Sequence, residues 1–477
     1  MKWKVRRINL GNLLKKLEEY YNKDYLPMHM PGHKRNIKLL GEKLPYKIDI
    51  TEIEGFDDLH HANGLIKDIE DKAKKIYGSK RSFILVNGST CGILAGIRSV
   101  VNFGDKVLVA RNSHKSLYNA IELNNLDSIY LSPKVNRYGI DENIDVNEVE
   151  EILKENKDIK LVVITSPTYE GIISNISSIV SIAHKYNIPV LVDEAHGAHL
   201  SFMENLCNKE ALNSGADIVI QSLHKTLPAL TGTALLHIQG DLVKEEDVAR
   251  ELSIFETSSP SYILMSSIEE CLDIISSKGK ELFKKYENNL KYFYNETRKL
   301  QKLKILGNEI ENKEYYDFGK IVIITKNTNI TGKELSNILR DEYKIELEMA
   351  SINYALAMTS ICDKKENFTR ALKALEEIDK RIEKKEPSSE DYSIIIPKKE
   401  MKVSEAIRNK IYKLEDYKEI EGKISKEYIW VYPPGIPLIT PGEVINKEII
   451  KKINEYQKAN IEVRTTFDKF PKIEVLE

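Results

Sequence analysis

A lysine placed just past a buried strand is partly stripped of water, which lowers its pKa and makes its amine a usable nucleophile. Lys225 has that setting. Ala216-Asp-Ile-Val-Ile220 is a β-branched run that reads as a buried strand, and Gln221-Ser-Leu-His-Lys225 follows it before a turn holding Pro228 and Gly232. Upstream, Ile188-Pro-Val-Leu-Val-Asp-Glu-Ala-His196 is a second apolar strand that delivers Asp193 and His196 at its end. A third, Ser82 to Val86, runs into Asn87-Gly-Ser-Thr90 and then a helical pattern through Val101. Strand, Gly-Ser-Thr, helix offers free backbone N–H groups and hydroxyls to a phosphate at a helix N-terminus. Ser and Thr also serve there as plain N-caps. The residues alone leave both readings open.

The elements that must position these groups alternate along the chain. Strands are expected at Lys106 to Ala110, Ser128 to Leu131, Lys160 to Thr165 and Pro189 to Val192. Helices are expected at Gly64 to Tyr77, Ser116 to Leu123, Val146 to Asn156 and Ile176 to Tyr186. Short, doubly apolar strands between amphipathic helices predict an α/β fold, a mostly parallel sheet with helices on both faces. Ligands bind such sheets outside the carboxyl ends of the strands. Gly88-Ser-Thr90, Asn112-Ser-His-Lys-Ser116, Ser166-Pro-Thr-Tyr-Glu-Gly171, Asp193 to His196 and Ser222 to Lys225 all fall there.

Around this body the chain divides into an N-terminal arm (1–45), the large unit (46–265), a smaller α/β unit (266–385) and a C-terminal unit (392–477). The arm contains a helical period from Ile8 to Tyr21. A long helical region spans Ile263 to Leu300; the smaller unit then has strands at Lys304 to Leu306, Lys320 to Thr325 and Tyr354 to Thr359, and helices at Gly332 to Tyr343 and Lys365 to Ile382. Lys384-Lys-Glu-Pro-Ser-Ser-Glu-Asp391 reads as a polar linker. Beyond it, Val431-Tyr-Pro-Pro-Gly-Ile-Pro-Leu-Ile-Thr-Pro-Gly-Glu443 holds enough proline and glycine, in an apolar context, to be a rigid, shaped loop.

A length of 477 residues allows a large core and two or three domains, and the net charge of −2 gives no reason to expect nucleic acid or a membrane surface. Cys91, Cys207, Cys271 and Cys362 are far apart, which suggests neither a zinc site nor a disulfide framework, and no metal is expected. The basic N-terminus lacks the apolar run of a signal peptide, and no segment approaches the roughly 20 apolar residues of a spanning helix. A cytoplasmic enzyme with reduced thiols is the expectation.

Asp193-x-Ala-His196 followed by Ser222-x-His-Lys225 resembles the pyridoxal-phosphate enzymes of the aspartate-aminotransferase fold, type I. More closely, the chain resembles the ornithine/lysine/arginine decarboxylases in their short bacterial form, which lack the receiver-like N-terminal wing of larger members. Met30-Pro-Gly-His-Lys34, Asp49-Ile-Thr-Glu52, Gly55-Phe-Asp-Asp-Leu-His60 and the Val431 to Glu443 run carry that resemblance from one end to the other. It implies that pyridoxal 5'-phosphate is bonded to Lys225, that Asp193 keeps the pyridine nitrogen protonated, and that His114 stacks on the ring. It implies a phosphate held by Ser89, Thr90, Ser222 and His224, with His196 beside the ring hydroxyl or the substrate carboxylate. Asp-Glu-Ala-His stands where some members end in Trp, so the substrate pocket differs from theirs.

The reaction implied is decarboxylation of a basic amino acid, arginine ahead of lysine or ornithine, to a polyamine-pathway amine. A cationic side chain needs an acidic partner, and Asp57, Asp58, Glu170 and Glu443 are the candidates. Fold relatives that transaminate use a small-domain arginine to grip the substrate carboxylate, and Met349 to Glu366 contains none. An aminotransferase or other pyridoxal-phosphate enzyme acting at the α-carbon, and a catalytically silent regulatory homologue, are the competing readings. The resemblance also implies a homodimer with its active site at the subunit interface, towards which Thr257-Ser-Ser-Pro-Ser-Tyr262 would reach.

Overall fold

The computed structural model describes residues 11–477 apart from 24, 25, 27, 29, 32, 207, 208, 387–395 and 432–434. Parts of four expectations lie outside the described residues: the start of the N-terminal helix, the Met30 to Lys34 motif at Gly32, most of the polar linker, and Tyr432 to Pro434 of the proline-rich run. Cys207 lies outside them as well.

Seven strands form the large sheet: β1 (Arg81–Leu85), β2 (Lys106–Ala110), β3 (Asp127–Leu131), β4 (Ile159–Thr165), β5 (Val190–Asp193), β6 (Ile218–Ser222) and β7 (Ala234–Ile238). Their order is β1-β7-β6-β5-β4-β2-β3. Pairing is parallel from β3 through β6, while β7 runs antiparallel to both β6 and β1. Alternate residues of each strand point to opposite faces, and here each face has its own core. Leu108, Val162, Ile164, Val192 and Val219 pack on one side; Val107, Leu161, Val163, Leu191, Ile218 and Ile220 pack on the other. That double burial is why these strands read as continuous apolar runs.

The helix Gly88–Arg98 lies close against the sheet, because a Cβ added at Gly92 would stand 2.7 Å from Leu85 Cδ1. The close approach fixes where its N-terminus opens. β7 was not anticipated. It follows directly on the turn after Lys225, and His237 interrupts its apolar run, Ala234-Leu-Leu-His-Ile238.

The helix Tyr262–Thr297 leads into a four-stranded antiparallel sheet. It consists of β8 (Lys304–Ile305), β9 (Lys320–Ile324), β10 (Met349–Ala350) and β11 (Tyr354–Met358), covered by helices Gly332–Tyr343 and Lys365–Arg381. The C-terminal unit has β12 (Tyr412–Asp416) paired with β16 (Lys472–Leu476), and β13 (Ile429–Val431) between β14 (Ile436–Ile439) and β15 (Val463–Thr465). Helix Lys447–Lys458 packs there over a separate cluster that includes Ile429, Ile439, Ile449, Ile453 and Ile473. The run expected as one shaped loop is in part β13 and β14. Pro437 is tolerated because β14 is an edge strand. Among the described residues no helix is long and apolar enough to cross a membrane.

Candidate active site

The carboxyl ends of the central strands open on a cavity of about 410 Å³ lined by Ser89, Thr90, His114, Glu170, Asp193, His196, His224 and Lys225, among others. β6 ends at Ser222, and a single helical turn, Leu223–Thr226, carries Lys225 into the cavity. Burial lowers the Lys225 pKa, opposed by the charges of Asp193 and Glu348. Asp193 ends β5 and accepts the Ala195 N–H at 3.1 Å. Burial raises its pKa, and the Lys225 charge opposes that rise.

His114 caps the helix Lys115–Leu123: its Nδ1 accepts the Ser116 N–H at 3.3 Å and meets Ser116 Oγ at 2.9 Å, which fixes the ring plane. Burial, then the charges of Lys225 and Lys115, push its pKa down to about 4, so the ring is neutral at physiological pH. His196 is pinched between two amines, with Lys225 Nζ 3.0 Å from Nε2 and Lys320 Nζ 2.6 Å from Nδ1. The Tyr169 ring packs on it at 4.6 Å.

The N-terminus of the helix Gly88–Arg98 also opens on this cavity, with no side-chain cap and no acidic residue in its first turn. Ser222 Oγ donates to Ser89 Oγ at 3.0 Å, and Thr90 is exposed at the mouth. His224 Nδ1 donates to the Thr233 carbonyl at 2.8 Å, which orients Nε2 independently. The Thr257 N–H donates to Asn87 Oδ1 at 3.2 Å, so the Thr257 to Tyr262 run starts beside this loop.

Of the four acidic candidates, the structure brings only Glu170 to the cavity. It also borders an adjoining cavity of about 130 Å³ that reaches Tyr354 and, on the C-terminal helix, Lys452 and Tyr456. The Tyr354 hydroxyl donates to Glu170 Oε1 at 2.6 Å. Asp141 borders both cavities too, its pKa pushed up to about 7 by burial and by nearby Glu170. The sequence reading missed Asp141, which stands in a polar stretch with no periodic pattern around it.

Asp57, Asp58 and Glu443 are placed elsewhere. Asp57 accepts the N–H groups of Asn63, Gly64 and Ile66 at 2.8–3.0 Å, at the start of the helix Leu65–Tyr77. Asp58 accepts the His60 N–H at 2.8 Å. Glu443, 0 % exposed, pairs with Arg111 at 3.1 Å and accepts the Thr440 N–H at 2.7 Å. The reason is common to all three: unpaired backbone or guanidinium donors lie closer to them than the cavity does.

Comparison with known proteins follows the same outline. The sequence profile of "Orn/Lys/Arg decarboxylase, major domain" matches residues 12–319, and that of the family's C-terminal domain matches 388–473. The chain belongs to the Orn/Lys/Arg decarboxylase family. Arginine decarboxylase of Bacillus subtilis is 31% identical over 466 residues, 94% of each chain. Arginine decarboxylase of Bacillus anthracis is 30% identical over 461 residues, 94% of this chain and 93% of that one. The crystal structure of the Francisella novicida lysine decarboxylase LdcF superposes with a TM-score of 0.84 at 22% identity, over 98% of this chain and 81% of that one. Membership of this family makes the chain a pyridoxal-phosphate-dependent amino-acid decarboxylase.

The donor set of the decarboxylase fits that cofactor. An uncapped helix N-terminus with hydroxyls suits a phosphate, a partly dehydrated amine suits an aldehyde carbon, and a buried carboxylate suits a protonated pyridine nitrogen. The volume also lies in the range of small-molecule sites.

Proposed function

We propose that the protein decarboxylates a basic L-amino acid, arginine ahead of lysine and ornithine, with pyridoxal 5'-phosphate bonded to Lys225. One observation carries the reading: a single cavity is lined by Lys225 and Asp193 and by Glu170 and Asp141, two acids that also border the adjoining cavity of the C-terminal unit. When bound, the cofactor supplies an electron-accepting ring that takes up the pair left on the α-carbon as carbon dioxide departs. Ser89, Thr90 and the N–H groups of their helix hold its phosphate, with Ser222 and His224 beside them. Asp193 would keep the ring nitrogen protonated, and His114, kept neutral, would pack against the ring without competing for that charge. Glu170 and Asp141 bind the cationic tail and so set its direction. His196 Nε2 and Lys225 Nζ, 3.0 Å apart, are placed to return a proton to the α-carbon.

Among the described residues lining this cavity there is no arginine. Arg111, in the adjoining cavity, is committed to Glu443. That supports decarboxylation over transamination, which benefits from a guanidinium on the substrate carboxylate. The names of the Bacillus relatives support arginine, whose planar guanidinium can bridge two carboxylates.

The reading includes a cytoplasmic homodimer serving polyamine synthesis. Leu26, Met28, Met30, Leu39 and Leu44 are exposed in the single chain, which supports burial against a second copy. Division at residues 45, 265 and 385–392 belongs to the same proposal, supported by the separate sheets and the C-terminal unit's own core.

The test follows carbon dioxide and amine from arginine, lysine and ornithine with purified protein and pyridoxal phosphate, beside Lys225→Ala. Agmatine from arginine, lost in the variant together with the visible absorbance of bound cofactor, is expected. A cofactor band with no carbon dioxide from any of the three would overturn the reaction.

A further inference from the structure

Lys320 has no part in the scheme above, yet it is 1 % exposed and its ammonium sits on the ring nitrogen of His196 that faces away from Lys225. The chain is built to bring it there. The Asp317 N–H donates to the Gly171 carbonyl at 2.8 Å and the Ile173 N–H to the Tyr315 carbonyl at 2.9 Å, which ties the entry to β9 onto the loop after β4. Gly171 has φ +98°, and a Cβ added there would stand 2.9 Å from both Cβ and Cγ of Lys320. Only glycine leaves room for the lysine stem.

An imidazole held between two amines has few protonation patterns open to it. Burial, then the charges of Lys320 and Lys225, hold His196 well below its ordinary pKa, so the ring is neutral and has one N–H and one lone pair. One lysine must therefore donate and the other accept. We assign the donor's role to Lys320, which makes the shorter of the two contacts, 2.6 Å against 3.0 Å. Burial pulls the Lys320 pKa down to about 8, helped by the Lys225 charge, but buried Asp317, itself held by His199 Nε2 at 3.0 Å, and then Glu348 and Glu170 limit that fall, so Lys320 still carries its proton at pH 7. Lys225 faces Asp193 and Glu348, with neutral His114 near it.

We infer that Lys320 is a positioning residue of this active site: by donating to His196 Nδ1 it fixes the Nε2–H tautomer, so that His196 offers the Lys225 amine a donor and holds it as the free base. The Nε2–H then points at the nitrogen lone pair, which an ammonium does not have. Lys225 is thereby kept ready to attack an aldehyde carbon. The inference rests on the reading of Lys225 as the attachment residue.

The test reads the amine itself. The full-length protein, stripped of cofactor, is labelled with a trace of acetic anhydride across pH 6–11, and Lys225 modification is followed by mass spectrometry. With Lys320→Met, labelling at pH 7 is expected to fall about tenfold, equivalent to a midpoint about one pH unit higher. Lys320→Arg, and to a lesser degree Lys320→Gln, which still donates to Nδ1, should restore it. An unchanged or lower midpoint in Lys320→Met overturns the inference, as does an equal shift in Met and Gln, which would leave charge alone as the cause. Nitrogen-15 spectra of histidine-labelled wild-type protein, with His196 assigned through His196→Gln, read the tautomer directly and do not depend on a Lys320 variant folding: a proton on Nε2 is expected, and a proton on Nδ1 overturns the inference. A Lys225 that carries the cofactor yet titrates without regard to Lys320 sinks this inference alone; a Lys225 that carries none sinks the attachment reading.

Discussion

The two ends of the cavity are assembled by different means. At the proposed phosphate end, each group lies at or just past the end of the strand that carries it: Ser89 and Thr90 after β1, His114 after β2, Asp193 at the end of β5, Ser222 at the end of β6 and Lys225 just after it. Their positions depend on a sheet whose two faces are both buried, so they are rigid. At the other end, Glu170 follows β4, Tyr354 opens β11, Lys320 opens β9, and Lys452 comes from the C-terminal helix. Three separate parts of the chain must dock before that end exists. On the proposed reading the first end suits a cofactor common to many enzymes of this fold, and the second would tell one substrate from another.

Two carboxylates test the difference, since Glu443 and Glu170 are both buried and both were candidates for the substrate tail. Glu443→Gln is expected to have the largest effect, on stability. It keeps an acceptor for the Thr440 N–H but leaves the Arg111 guanidinium buried without a counter-charge, at a cost of about 3–5 kcal/mol. Urea unfolding measures the loss, and the KM for arginine should not move. A changed KM at unchanged stability would put Glu443 in the substrate site. Next in size is Asp193→Asn, which keeps the acceptor for the Ala195 N–H and removes only the charge. Its kcat should fall about 100-fold or more while the absorbance of bound cofactor persists. Activity within a few-fold of wild type would remove Asp193 from beneath the ring.

Lys106 and Lys320 show which features of the site are legible in sequence and which are not. Each opens an apolar β-branched strand, and each follows an aspartate by one to three residues, Asp105 or Asp317. Lys106 stays a quarter exposed and pairs with Asp158 at 2.8 Å, while Lys320 is sealed against His196. Nothing local separates them. The difference lies in what covers the start of the strand, and for Lys320 that is the loop at Gly171. The large sheet was legible because double burial leaves continuous apolar runs, and the groups at its strand ends came with it. β7 was not, because His237 breaks its short apolar run just behind a turn. Asp57 and Glu443 look in sequence like any buried-site acid, and only the donors around them in the fold set them apart. Asp141 had no pattern to mark it at all.

Glu170→Gln sharpens the comparison at the substrate end, with the smallest expected effect of the three. The substitution preserves shape and an oxygen for the Tyr354 hydroxyl, so the fold has no reason to loosen. What it removes is charge facing a cationic tail. A hydrogen bond to a charged group contributes about 1.5–3 kcal/mol, so the KM for arginine should rise at least about tenfold. The tail lies away from the bond that breaks, so kcat should change much less. Asp141 would carry what binding remains, and adding Asp141→Asn should then cost more than it does alone, because both carboxylates grip one guanidinium. If kcat falls and KM holds, Glu170 acts at the reacting carbon instead, and the substrate end of the cavity is not where its tail is read.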